Sequence, residues 1–241
     1  MRVLALDTTT RAGSVAIVED DHVVDERAGD PARSHAERLP TDILDQLTAH
    51  DRTLADVDLL AVASGPGSFT GLRIGIATIQ GLAFVRGTPI VAVSALEALG
   101  QLASREARPG AYVAAWMDAH RREVFSALFR VTSSVLFEPD RLTEVDAPAV
   151  GDPGTTIARW RPEVGDERVE VMGDGAVLFA EVIAREAPEW RVAPAPMLAG
   201  AIGRIAAARA RRGETIDAAG LRPLYIRRPD AEVARDRRVA D

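Results

Sequence analysis

The sequence predicts an α/β protein of two related lobes, each a mixed sheet flanked by helices. Three observations carry that expectation. Each half opens on apolar strands joined by tight turns. Each then continues as strand–helix units, and a polar stretch at 105–110, Arg-Glu-Ala-Arg-Pro-Gly, parts the halves. At 241 residues the chain suits one large domain or two small ones. We place the first lobe at 1–104, the second at 105–226 and a charged, loose tail at 227–241.

RVLALDTTT and SVAIVEDDHVVDE read as three strands of an antiparallel meander. Apolar residues run from Val3 to Leu6, resume at Val15 to Val18, and return at Val23 and Val24 after an Asp-Asp turn. In SHAERLPTDILDQLTAH, Ser34 and Glu37 make a capping box. Leu39, Ile43, Leu44 and Leu47 then form one helical stripe. Pro40 lacks a backbone donor and is expected to bend or restart this helix near Thr41. VDLLAVAS is a buried strand. It feeds SGPGSFTGLRIG, which leads into a helix over about 68–85. That helix has an apolar face of Leu72, Ile76, Ile79 and Ala83 beside a small-residue face of Gly71, Gly75 and Thr78. PIVAVSALEALGQLA is strand then helix.

The second half restarts with AYVAAWM, the turn DAHR and REVFSALFRV. A looser stretch with several prolines and glycines follows. VEVMGDGAVLFAEVIA then reads as strand, glycine turn and helix, and LAGAIGRIAAARARRG as a last helix stopped by Gly213.

Composition excludes several classes of function. The net charge of −7 lacks the basic footprint of a protein that grips nucleic acid through its own surface. Aromatics, at 5%, are too few for base-stacking platforms. Cysteine is absent, which removes disulfides, thiolate nucleophiles and cysteine metal sites and suits a reducing cytoplasm. Every residue in the Lys+Arg count is arginine, so no lysine is present for a Schiff base or a phosphate loop. Met1 leads straight into a strand, and no apolar run approaches the roughly 20 residues that span a bilayer. We expect no signal peptide, no membrane contact and a cytoplasmic location.

The run from Ser64 to Gly75, with glycines at 65, 67, 71 and 75, resembles a phosphate cradle. Its spacing fails the known cradles. A Walker loop needs Gly-Lys-Ser/Thr after four residues, but Thr70 and Leu72 occupy the relevant places. A dinucleotide fingerprint needs its last glycine one residue before Gly71. A nucleophile elbow needs a residue between Gly67 and Ser68. The packing reading fits better: Gly65-Pro66-Gly67 leaves the strand tightly, Ser68 caps the helix, and Gly71 and Gly75 admit a close backbone. None of the four histidines has a partner four residues away, and His35 reads as a polar residue in a helix first turn. Asp7, Thr8 and Thr9 suit either a phosphate or magnesium contact or a simple turn.

Taken together, LALDTTT, SHAERLP, AVASGPGSFTGLRIG, MDAHRREVF, VMGDGA and PLYIRRPD resemble the TsaB (YeaZ) family over residues 2 to about 230. The resemblance implies an actin/Hsp70/sugar-kinase fold. It implies a non-catalytic role beside a TsaD-type transferase, which makes threonylcarbamoyl-adenosine at position 37 of tRNA, with a TsaE-type ATPase as third member. TsaD carries a metal-binding His-x-x-x-His where this chain has Ala95 and Leu99. We therefore expect no catalytic residues, no metal and no cofactor held by this chain, with ATP used by the complex. The implied partner surface, for TsaD or for a second copy when the partner is absent, comprises His35, Leu39, Ile43, Leu47, Gly71, Arg73, Ile74, Gly75 and Thr78. Contact with tRNA is expected only through the complex. The family's Asp-Ala-Arg turn is Asp118-Ala119-His120 here, with Arg121 next. The alternative is an ATPase or phosphotransferase of the same fold, with Asp7, Thr8 and Thr9 on phosphate and Gly173 and Gly175 on the adenosine side. A metallopeptidase is disfavoured by the missing histidine pair.

Overall fold

The computed structural model describes residues 1–227. Apart from Arg227, the tail expected at 227–241 lies outside the described residues, as does the end of PLYIRRPD.

The first sheet contains β1 (Arg2–Asp7), β2 (Ser14–Glu19), β3 (His22–Ala28), β4 (Leu59–Gly65) and β5 (Ile90–Ser94), in the order β3-β2-β1-β4-β5. The second contains β6 (Tyr112–Asp118), β7 (Val124–Val131), β8 (Leu142–Gly151), β9 (Val169–Met172) and β10 (Arg191–Ala193), in the order β10-β9-β6-β7-β8. Read from the other edge, the second order repeats the first. In each sheet the opening three strands pair antiparallel and the last two add in parallel. The two lobes are thus a duplication in topology, as the actin/Hsp70/sugar-kinase fold requires, although no repeat is visible in the residues.

The helices are α1 (His35–Ala49), α2 (Phe69–Arg86), α3 (Ala95–Ala103), α4 (Pro153–Val164), α5 (Asp174–Leu178), α6 (Ala180–Glu186) and α7 (Ala199–Arg211). Alternation along the strands sets the layers. Leu4, Leu6, Val15 and Ile17 point to one side, where Leu39, Ile43 and Leu47 of α1 and Ile76 and Ile79 of α2 cover them. Val3, Ala5, Ala16 and Val18 point to the other side. There they meet α3 and α7 in a shared core that also holds Val113, Ala115 and Met117 of the second sheet. The far face of the second sheet packs on α4 and α6 around Trp116, Trp160 and Trp190, whose rings are 6.1 and 6.2 Å apart.

The helix packing crosses the division expected at residue 104. α3 follows β5 but packs mainly on the second sheet, whereas α7 follows β10 but lies across the first. Each lobe hands its last helix to the other. A Cβ at Gly203 of α7 would stand 2.6 Å from Val18, so glycine permits the approach. The α7 N-terminus is capped from the first sheet: Ser14 accepts from the Ala199 N–H at 3.0 Å and Glu26 from the Gly200 N–H at 2.8 Å. Burial raises the Glu26 carboxyl above its ordinary range, and the Gly200 bond offsets part of that. Arg209 Nη2 of α7 donates to both carboxylate oxygens of Glu97 of α3, each at 2.8 Å. The chain after α7 also returns to the first lobe, where Ile216 bridges Ile90 of β5 and Leu221 is buried.

Local signals place most elements. The Asp20–Asp21 turn has φ of 46° and 71°, the left-handed pair of a tight hairpin. Ser34 and Glu37 form their capping box, Ser68 accepts from the Gly71 N–H, and Gly213 closes α7 with φ 78°. Pro40, however, neither restarts nor ends α1, which runs unbroken to Ala49. The carbonyl it deprives belongs to exposed Ala36, which water reaches. The stretch read as loose holds β8 and α4. Among the described residues β8 pairs only with β7; it carries Pro148 and changes register twice, so it lacks a clean alternation. α4 starts on an Asp152 cap with Pro153 at its first position, where proline is tolerated. Among the described residues, no helix is long and apolar enough to cross a membrane.

A tight approach in the first lobe joins α2 to the turn after β1. A Cβ at Gly71 would lie 2.1 Å from the Thr8 carbonyl oxygen, and one at Gly75 would lie 2.2 Å from Thr8 Oγ1. At Gly67, which has φ of 153°, it would meet Thr9 Cβ at 2.5 Å. Gly81, on the same helix, has no neighbour within 4 Å. In urea unfolding, Gly71→Ala is expected to lose about 1–3 kcal/mol, because a backbone oxygen cannot step aside. Gly75→Ala loses less, since the Thr8 hydroxyl can rotate. Gly81→Ala gains roughly 0.5–1 kcal/mol from helix propensity. Equal gains at all three positions would show that propensity, not contact, governs this helix.

Candidate functional site

A cleft of about 1070 Å³ opens between the lobes. The turn after β1, the loop before α1 and the start of α2 form its first-lobe wall. The β6–β7 hairpin and Asp174 face them from the second lobe, and Leu224 to Arg227 pass along the mouth.

The first-lobe wall is built on Asp7. This carboxylate is 3% exposed, and its Oδ1 accepts from the Thr9 N–H at 2.8 Å and from Thr9 Oγ1 at 2.6 Å. Burial raises its pKa, while the Thr9 bonds pull it down in part. The Thr9 carbonyl accepts from the Ser68 N–H at 2.8 Å. The glycine loop therefore binds the chain's own threonine turn: Ser68 N–H and Gly71 N–H both already have acceptors.

The five residues considered for nucleotide fall in different places. Thr9 lines the cleft, but Asp7 and Thr8 are buried behind it. Gly173 and Gly175 belong to the second lobe's packing, since a Cβ would stand 1.8 Å from the Trp116 oxygen at Gly173 and 2.7 Å from the Met117 carbonyl carbon at Gly175. Gly173 has φ of 139°, which favours glycine there. Four arginines from separate segments, Arg11, Arg33, Arg121 and Arg227, line the cleft together with Asp118 and Asp174. Arg121 sits in the hairpin turn with His120 and Arg122, all three in the left-handed region at φ of 57°, 54° and 64°. Asp118 steadies that turn by accepting from the His120 N–H at 2.7 Å, and both Ala119 and Glu123 bond across it.

The stripes assigned to a partner surface divide. Leu39, Ile43 and Leu47 are at most 2% exposed and face the sheet, and Gly71 and Gly75 are sealed against Thr8. They cannot offer a partner any surface in this fold. The apolar stripe of α1 turns inward, as burial favours. Arg73 is exposed, while Ile74 and Thr78 are half-buried. Exposed apolar side chains on the same two helices are Leu44 (52%), Phe69 (41%), Phe84 (85%) and Val85 (82%). Ala95 and Leu99 are buried in the core between the sheets. Among the described residues, no three His, Asp or Glu side chains gather to hold a metal ion.

His35 is also internal, at 8% exposed. Its Nδ1 meets Arg38 Nη2 at 2.9 Å and its Nε2 meets the Thr10 carbonyl at 3.0 Å. A guanidinium only donates, so Nδ1 accepts and Nε2–H donates to Thr10. This fixes a neutral imidazole. Arg38 is 1% exposed, bonds the Ala12 carbonyl and pairs with Asp42. Gly29 leaves it room, because a Cβ there would fall 1.6 Å from Nη1. Burial lowers the His35 pKa and Arg38 lowers it further, against the Thr10 bond and the Asp7 and Asp42 charges. A histidine depressed in the folded state stabilises fully above its ordinary value near 6.5, and that stability is lost as pH falls through the folded value. The stability gap between wild type and His35→Gln is thus expected to shrink between about pH 7 and pH 5 in urea titrations. A gap that is constant with pH would contradict the neutral latch.

The family description "tRNA N6-adenosine threonylcarbamoyltransferase", TsaD, matches residues 28–153. The tRNA threonylcarbamoyladenosine biosynthesis protein TsaB of Escherichia coli is 35% identical over 190 residues, which cover 74% of this chain and 81% of that one. YeaZ from Pseudomonas aeruginosa superimposes with a TM-score of 0.72 at 30% identity, covering 93% of this chain and 99% of that one. A second P. aeruginosa structure, described as similar to peptidase YeaZ, gives 0.75 at 31% identity, covering 94% and 99%. At this identity over most of both chains, the similarities establish that the chain belongs to the TsaB (YeaZ) family.

Proposed function

We propose that this chain serves tRNA threonylcarbamoyladenosine biosynthesis as a non-catalytic subunit. It docks on a TsaD-type transferase and favours that enzyme's competent state, and a TsaE-type ATPase completes the set. The observation that carries this reading is the pair Ala95 and Leu99. By the family resemblance they stand where the TsaD relative carries its metal-binding histidines, and both are buried in apolar core. Neither side chain can ligate a metal. Asp7 supports the same reading, since its hydrogen bonds go to Thr9 rather than into the cleft.

The docking surface we assign is the outer side of α1 and α2. A phenylalanine that is 85% exposed at the end of a helix, with Val85 beside it and Leu44 on the neighbouring helix, offers apolar area to a partner. The same surface serves self-association when the transferase is absent. Activation follows from differential affinity: docking helps only as far as it binds the competent state more tightly. The net charge of −7 fits contact with tRNA through the complex rather than through this chain.

Reconstitution tests the reading. With tRNA, ATP, threonine and bicarbonate, the chain alone is expected to form no modified adenosine, and leaving it out of the complete mixture removes the product. Product from the chain alone would overturn the assignment. Phe84→Asp and Leu44→Arg are expected to weaken binding to the transferase tenfold or more. Both side chains are exposed, so stability should move by no more than about 0.5 kcal/mol. Unchanged binding by both variants would place the interface elsewhere.

A further inference from the structure

The last described segment, 212–227, carries no helix or strand, yet it is tied at every stage to what lies beneath it. Ile216 exchanges two backbone bonds with Ile90, at 2.8 and 2.9 Å. The Gln80 amide of α2 donates to the Ala218 carbonyl at 2.9 Å, and Leu221 enters the core under α2. Leu224 N–H donates to the Ser64 carbonyl at 2.7 Å, beside Gly65, where a Cβ would stand 2.6 Å from the Leu224 oxygen. The Tyr225 ring lies 5.4 Å from that of Phe69, and its hydroxyl accepts from Arg73 Nε at 3.2 Å. Arg73 in turn covers Phe69, with its guanidinium 3.9 Å from the ring centroid. The segment then leaves the first lobe. Arg227 donates to the Ala119 carbonyl at 2.6 Å and pairs with Glu123, both in the β6–β7 hairpin of the second lobe.

We infer that residues 216–227 are a latch joining the first turn of α2 to the second lobe across the cleft mouth, and that docking on α2 releases it. This inference rests on the docking reading above. Two features of the contact argue for it. First, Phe69 and Tyr225 are still 41% and 39% exposed. The ring pair is thus a surface contact that a partner lying on α2 would reach and displace, not a core contact. Second, the same strap whose Tyr225 rests on α2 holds the hairpin two residues later through Arg227. The β6–β7 hairpin is held in turn by its own backbone bonds and by Asp118, so it moves with its lobe as a unit. Losing the Tyr225 seat lengthens the free chain between Leu224 and Arg227 and loosens the tie between lobes. Occupation of α2 is thereby converted into opening of the cleft.

The cysteine-free chain allows a direct test. Spin labels at Ala32→Cys, on the first-lobe lip, and Val177→Cys, on exposed α5, report the distance across the cleft in the full-length protein. Arg227→Ala and Tyr225→Ala are each expected to shift the distance distribution to longer values and broaden it. Tyr225→Phe keeps the ring contact, loses the Arg73 bond and falls between. Tryptophan emission from Trp116, Trp160 and Trp190, all in the second lobe, confirms that each variant retains its fold there. Adding a TsaD-type transferase to the labelled parent is expected to reproduce the Tyr225→Ala distribution. Variants that superimpose on the parent while natively folded would overturn the latch. Transferase binding with an unchanged distance would overturn its coupling to docking. Absence of any transferase binding would instead contradict the function proposed above, and the variant distances would still decide the latch.

Discussion

The first lobe depends on one contact: the glycine face of α2 pressed against the threonine turn that ends β1. Gly67, Gly71 and Gly75 remove the methyl groups that would otherwise collide with Thr9 and Thr8. The turn itself is held from below by Asp7 and from above by the Ser68 N–H. Because α2 lies so close, α1 can pack beside it with its apolar stripe inward, and His35 can reach from α1 to the Thr10 carbonyl. A residue with a side chain at Gly71 would push α2 outward and separate all three pieces. The site, the helix layer and the cleft wall are therefore consequences of a single close approach.

The contact also decides which chemistry the loop can perform. A phosphate cradle presents unpaired N–H groups to an anion. Here two of those donors already have internal acceptors, and the nearest carboxylate is buried and hydrogen-bonded to the turn it supports. The cations along the cleft belong to other segments, and several serve the fold as well. Arg11 donates to the Pro31 carbonyl, Arg33 to the Glu37 carbonyl and Arg227 to the Ala119 carbonyl. Cleft shape and lobe geometry are thus held by the same side chains that line the cleft.

Much of this was legible in the residues. The capping box at Ser34, the Ser68 cap and the Gly213 stop are local signals, and local geometry honours them. The small-residue face of α2 announced a close backbone approach, but not that the neighbour would be the chain's own Thr8. Such a pairing, like the exchange of α3 and α7 between lobes, depends on residues far apart in sequence. β8 escaped notice because an edge strand with a proline and two register shifts has no clean period. The inward turn of Leu39, Ile43 and Leu47 could not be read from spacing, which gives a stripe but not the surface it meets. The four cleft arginines were hidden for the same reason, since their proximity exists only in three dimensions.

The amides of Ser68 and Gly71 test the account most directly. Followed by NMR, both are expected to exchange slowly with deuterium in the free protein and to keep their chemical shifts when millimolar Mg-ATP is added. Fast exchange in the free protein, with large shifts and new protection on adding nucleotide, would show that the loop waits for an anion. The glycine–threonine contact would then not be what the run is built for.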